Sequence, residues 1–547
     1  MNLHHHHHDC PVANFTSTMS PLRPAAPPRR QYLGWTFWVA CVIGFIGLIS
    51  PVHAHVGDQN VFFEGAAGGY PVRIVVRPPG VIPGLAEISV RVETNGVRQV
   101  TVLPIRWSTG RDGAPPPDEA RPVRGESNLF SGELWFMQGG AQSVEVVVNG
   151  TAGEGRVIVP VNAVATRVLG MEPWLGWGLA GFGTVLVALA GSIVGAAVRE
   201  SILPAGVAAS TRRRRWSGVT IGVALLLIGG FLFLGQRWWA AEARDYHHNR
   251  LYRPVDSTAR VRQEMGQRIL TLERAVDPAR NNGPIVPEHG KLMHLFLVRE
   301  PGLDAFAHLH PVKRDWKTFE TVVPGLPAGN YRVYADVTYE TGFTETLSAT
   351  VALPAVVPAI TDPAPRLPAS QPLPTADDDD AWHVGQPFAP VTSTQVRQTN
   401  TLGAYTMELG MAAPLIVNQD TRLQVVVRDA QHQTVPLEEF MGMGGHLILR
   451  KEDGAVFTHL HPSGSFSMAA QQLFALRIEG KAPLKVASPQ REPICQLPAM
   501  LPSSGTHESL AFPYAFPQPG PYRLWIQVKI KGQVFTGEFA VQVNPAA

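Results

Sequence analysis

Hydrophobic and polar positions follow two rhythms along this chain of 547 residues. Three stretches are apolar almost throughout: 31–50, Trp174–Val198 and Trp216–Gln236. The rest alternates. Tyr70-Pro-Val-Arg-Ile-Val-Val, Ala86-Glu-Ile-Ser-Val-Arg-Val and Ser143-Val-Glu-Val-Val-Val carry β-branched residues at alternate positions between Pro and Gly turns, the period of a half-buried strand. No helical period accompanies them. The pattern predicts all-β domains built as sandwiches, plus a two-helix transmembrane hairpin.

The two inner apolar stretches can each cross about 30 Å of hydrocarbon as helices. Trp174 and Trp177 open the first, and Trp238 and Trp239 close the second, which suits the membrane interfaces. Between them lies a short loop with Arg199 and Arg212–Arg215, expected on the cytoplasmic side, so both flanking regions face outward. No ionisable residue stands mid-span, which makes the hairpin an anchor rather than an ion pathway. Gly176, Gly178, Gly181, Gly183, Gly191 and Gly195 allow close helix packing. The first stretch follows Arg29 and Arg30 and precedes Pro51-Val52-His53-Ala54-His55, the form of a secretory signal cleaved after Ala54. An uncleaved anchor is the other reading. The expected location is a bacterial inner membrane with both large soluble regions on the periplasmic side.

An internal repeat organises the second soluble region. Residues 268–311 and 422–462 share a strand, a proline-containing loop, a Gly-rich approach, a His-led apolar strand, a tight turn and Phe-x-His-Leu-His-Pro. The match resumes between 326–351 and 516–541, with an insertion near 470–511 in the second copy. Two tandem sandwiches are expected. The expected segments are an export signal and extension at 1–54, a first sandwich at 55–170, the hairpin at 171–239, repeat one at 240–353, a Pro/Ala/Asp-rich linker at 354–398 and repeat two at 399–547. Within the linker, Asp377–Asp380 reads as a solvated acidic run.

Composition narrows the function. Charged residues make up 16 % and hydrophobic ones 45 %, low in charge for a wholly soluble protein. A net charge of +2 without a basic face excludes nucleic acid as a partner. The membrane, and a periplasmic or membrane protein, are the partners expected. Cys10 and Cys41 fall in or before the signal, leaving Cys495 without a disulfide partner. Motifs of hydrolytic, nucleotide-binding and zincin chemistry are missing from the sequence.

Histidine carries the remaining signal. His294, His308 and His310 recur in the second copy as His446, His459 and His461. On a strand the two rings of His-Leu-His project to one face, about 7 Å apart. A hairpin brings the leading His alongside, so three imidazoles converge, a set that suits copper or zinc. Met293, Met441 and Met443 lie close in sequence, and thioethers favour copper. His289 aligns with Met441. Met293 would need a bulge to join His294. The competing reading is a structural corner, each ring bonded to backbone carbonyls. A cleaved chain would also begin at His55, whose amine and ring could chelate copper.

The strand–Gly–His–strand–turn–Phe-x-His-Leu-His-Pro pattern, followed in the first copy by Pro-x-Gly-x-Tyr-Arg, resembles exported bacterial Ig-like (cupredoxin-like) modules of the YtkA-like sort. The resemblance implies β-sandwiches associated with copper handling or respiratory-oxidase maturation. His55-Val-Gly is similar to the start of CopC-like copper-resistance sandwiches, although 56–170 holds no second histidine. Over its whole length the chain resembles bacterial membrane-anchored proteins with tandem modules of this kind. The expected function is a membrane-tethered periplasmic metal-binding protein of the copper-handling or metallochaperone type, with copper, zinc or no cofactor. A metal-free scaffold of a membrane complex and a copper-dependent redox enzyme stand as alternatives.

Overall fold

The computed structural model describes residues 60–546, apart from 205, 255–256, 276–281, 357–371, 392–394, 483–486, 494–496 and 498–504. The export signal, His55 and Cys495 lie outside the described residues.

Alternation does what the sequence predicts in the first domain. In Tyr70–Arg77 the residues Tyr70, Val72, Ile74 and Val76 all turn inward. Eight strands, from Val61–Ala67 to Gly153–Ala163, form one sheet folded on itself. The short strand Asp118–Pro122 pairs with Val97–Arg106 on one side and Leu129–Phe136 on the other, so it makes the corner joining the two halves.

The apolar stretches form helices Pro173–Glu200 and Thr211–Asp245, both long and apolar enough to cross a membrane. They touch at Gly195, where Ser217 Oγ donates to the Gly195 carbonyl at 2.8 Å. A Cβ on Gly195 would meet Ile221 Cδ1 at 2.7 Å and Ser217 Oγ at 3.2 Å, so a larger residue would displace the Ile221 side chain. Gly176, Gly178, Gly181 and Gly183 make no such approach.

Each repeat is a two-sheet sandwich. The first packs a four-stranded sheet on a six-stranded one, and the second a four-stranded sheet on a five-stranded one. The larger sheets are buried on both faces. Leu295 and Leu297 enter the core of the first module, while Phe296 and Val298 join a separate cluster with Ile448, Phe457 and Trp525 of the second. Trp525 stacks on Phe306 at 4.8 Å and Phe457 on Tyr334 at 3.8 Å between ring centres. Full burial of each such ring stabilises by roughly 1.5–3 kcal/mol. The two modules therefore meet face to face.

Two elements differ from expectation. Ala381–Val384, inside the expected linker, is a strand paired with Ala305–Leu309. The insertion of the second copy carries a helix, Met468–Ile478. The first domain docks on the second module, where Glu64 N–H donates to Ser463 O at 2.7 Å and Ser465 N–H to Phe62 O at 3.0 Å.

Candidate metal centre

Strand alternation positions the rings. Leu309 belongs to the core of the first module, so His308 and His310 turn to the opposite face, toward the second module. Register places Leu295 opposite Leu309, which brings His294 to the same end of that face. The second copy repeats this through Leu447 opposite Leu460. Each leading histidine follows a tight turn. His289 and Gly290 take left-handed backbone in one copy, Met441 and Gly442 in the other. The turn presents one carbonyl to the ring: His294 Nε2 lies 3.2 Å from Glu288 O, and His446 Nε2 3.2 Å from Phe440 O.

The candidate ligand atoms in each trio all lie within 4.8 Å of one another. The nearest pairs are His294 Nδ1 to His308 Nε2 at 3.1 Å and His446 Nδ1 to His459 Nε2 at 3.0 Å. Hydrogen-bond partners assign the protons. A carbonyl only accepts, so His294 and His446 carry theirs on Nε2, leaving Nδ1 unprotonated. His308 Nδ1 faces Gln527 Oε1 at 2.9 Å, an amide whose nitrogen is taken up by Thr536 Oγ1 at 3.3 Å. His459 Nδ1 faces Asp336 Oδ2 at 3.4 Å. With Oε1 as the amide atom facing it, His308 carries its proton on Nδ1 and its Nε2 is unprotonated. In the first trio two lone pairs then face one another, those of His294 Nδ1 and His308 Nε2.

A third ring completes each set. His310 Nδ1 lies 3.1 Å from Asp380 Oδ1, and among the described residues its Nε2 has no hydrogen-bond partner, nor does either ring nitrogen of His461. Burial, then neighbouring imidazoles, holds His294, His308, His446, His459 and His461 well below their ordinary pKa. Protonation is therefore an expensive way to relieve the facing lone pairs. A cation between them is the alternative.

His289 is a seventh ring. Its side chain is fully buried with Nε2 3.3 Å from Glu288 Oε1, and among the described residues its nitrogens make no hydrogen bond. Although it belongs to the first module, its nearest ring is His461 of the second, at 4.9 Å between centres. Its alignment with Met441 corresponds to equivalent backbone, φ 52° against 54°.

Methionine is placed differently from expectation. Met293 turns into the core of the first module, because adjacent strand residues face opposite sides and no bulge intervenes. Met441 and Met443 stay in the turn before His446, Met443 buried. Sequence reasoning missed the outer support, namely Glu288, Asp336, Asp380 and Gln527. Asp336 and Gln527 were findable, since both are polar interruptions at the same point of a repeated apolar strand, each directly opposite the leading histidine. The aspartate run is not simply solvated. Asp380 accepts from His310 N–H at 2.8 Å, and Asp377 and Asp379 pair with Lys291 at 2.5 and 3.1 Å.

The rings are buried, not displayed on an open sheet edge. A cavity of about 200 Å³ reaches them from beside the first domain, lined by Asn60, Glu288, His294, Asp336, His459 and His461 among others.

Residues 399–545, the second module, match a family described as a domain of unknown function, DUF8832. No curated protein matches the chain. Among solved structures, a tetra-tandem repeat from the extending region of a large adhesion protein is 9 % identical, covering 85 % of this chain and 97 % of that one, with a TM-score of 0.14. Dimeric latent PorU from Porphyromonas gingivalis is 9 % identical over 89 % of this chain and 34 % of its own, with a TM-score of 0.13.

Proposed function

We propose that this chain is a membrane-tethered metalloprotein that holds copper in two three-histidine sites between its C-terminal modules. The observation that carries the reading is the convergence of three buried rings in each trio, with two ring nitrogens 3.1 and 3.0 Å apart. Two nitrogens bound to one ion at about 2.0 Å lie about 3.3 Å apart, so the nearest pair of each trio already stands close to ligating separation. The distal nitrogens of His294, His308, His446 and His459 each face a carbonyl, amide or carboxylate oxygen, the support that fixes metal-ligating imidazoles. Such support is what the structural-corner alternative lacks a reason for at the second nitrogen. Among divalent ions an all-imidazole set binds Cu(II) most tightly, with zinc the competitor.

Burial favours a resident ion over one handed rapidly to a partner. The Arg212–Arg215 run, at the start of the second helix on the side of the short connection, supports an extracytoplasmic placement of the modules, in keeping with a periplasmic copper protein.

Metal analysis of the purified full chain tests this. One copper per trio is expected, falling by half in His308→Ala/His310→Ala and in His459→Ala/His461→Ala. Unchanged stoichiometry in both variants rejects these ligands, and zinc in place of copper revises the ion. A metal-free protein returns the scaffold alternative.

A further inference from the structure

The two trios lie against one another. Rings within the first trio lie 4.7–5.3 Å apart, and within the second 4.6–5.2 Å. Between trios the distances are scarcely longer: His294 to His459 5.5 Å, His308 to His459 5.6 Å and His308 to His446 5.8 Å. The outer supports also cross the interface, since Gln527 of the second module holds His308 and Asp336 of the first faces His459. His289 crosses it as well, standing 4.9 Å from His461 and 6.1 Å from His446.

We infer that the six histidines form one dinuclear copper centre, shared by both modules, whose two ions take a small exogenous oxygen- or nitrogen-donor ligand from the cavity. This rests on the copper reading above. Two observations carry the step. First, rings of the two trios stand only 5.5–5.8 Å apart between centres, so ions held by the two trios are neighbours, as in two-metal sites that share a bridging ligand. Second, the same cavity of about 200 Å³ is lined by His294 from one trio and by His459 and His461 from the other. Its volume admits water and small anions. Three protein ligands per ion leave a coordination position open, as in catalytic rather than structural metal sites. His289, its side chain buried and its Nε2 3.3 Å from Glu288 Oε1, stands beside the second trio, where it can serve as a fourth imidazole.

Copper quantification together with electron paramagnetic resonance of the Cu(II)-loaded full chain tests the inference, with azide as the exogenous ligand. The expected result is two coppers per chain with far fewer than two integrated spins, because bridged Cu(II) ions couple. Azide is expected to change the visible spectrum. The variant His459→Ala/His461→Ala should keep about one copper and show close to one full spin. Two coppers with two independent spins overturn the dinuclear centre and leave the copper reading standing. Absence of any azide response overturns the exchangeable position. Absence of bound copper overturns both. The spin count of the unaltered protein decides the matter even where the variant fails to fold.

Discussion

His308, in the first module, is oriented by Gln527, in the second: Nδ1 and Oε1 lie 2.9 Å apart across the module interface. The converse contact joins His459 of the second module to Asp336 of the first at 3.4 Å. Each module therefore supplies three rings and the outer support of its neighbour's set. Ancestral duplication accounts for the repeated residues, and the face-to-face packing turns two ligand sets into a reciprocal pair. Hinging of the modules would disorient both.

Gln527→Leu keeps the volume and removes the acceptor. The ring of His308 is then free to choose the wrong tautomer, and a bound ion loses its most tightly oriented ligand. Loss of such outer support costs about 10–100-fold in metal affinity. The loss should fall on the first trio alone, read as one weakened and one unchanged copper in chelator competition. Equal weakening of both, or of neither, would contradict the assignment.

Trp525 is fully buried and stacks at 11° on Phe306 across the interface. Trp525→Ala removes that stack and leaves a cavity between the sheets, which should destabilise by about 3–5 kcal/mol. Because both outer contacts bridge the same interface, copper retention should fall at both trios together. Denaturant unfolding and copper content, measured on one sample, check the two halves of this expectation.

The face that carries the rings could be read from the sequence, since a two-residue period puts His308 and His310 opposite Leu309. The partner of that face could not. His294–Glu300 and His446–Lys451 open with unbroken apolar runs, which say that both faces are buried without naming what covers the second. The support from Asp380 was equally hidden, because four consecutive aspartates in a proline-rich segment read as solvated until the strand Ala381–Val384 seats them beside Lys291. Met468–Ile478 escaped for a third reason. Its buried residues, Ala469, Ala470, Leu473 and Phe474, make a short and weakly amphipathic face, and its start is secured by a carboxylate far away in sequence.

Protonation should destabilise the metal-free protein. Five imidazoles, His294, His308, His446, His459 and His461, are held well below their ordinary pKa in the fold. The unfolded chain takes up those protons below about 6.5 and the folded chain does not, so stability is full above that pH and lost as pH falls. Asp336 works in the opposite sense. Burial pushes its carboxyl up to about 7, so its contribution is present in acid and lost as pH rises toward neutrality. Five groups outweigh one, each worth up to about 1.4 kcal/mol per pH unit. Thermal unfolding of copper-free protein should therefore shift to lower temperature between pH 7.5 and 5.5. A flat or rising profile would mean that the rings are not held neutral.

Glu288 separates stability from metal binding. Its carboxylate caps the helix Met468–Ile478, accepting from Met468 N–H at 2.8 Å and, through a short bond, from Ser467 Oγ. Thr338 Oγ1 donates to it at 3.1 Å. An anion at a helix N-terminus meets unpaired amides and the positive end of the helix dipole, so this contact pins the inserted helix of one module to the turn of the other. The contact to His294 is made by the backbone carbonyl of Glu288, not by its side chain. Glu288→Ala should therefore destabilise by about 1–3 kcal/mol, the cost of leaving those donors unmet. His294 would keep its acceptor, and copper stoichiometry should remain at one ion per trio. Loss of copper at full stability would place the Glu288 carboxylate among the ligands instead, and would require a different account of how the first trio is assembled.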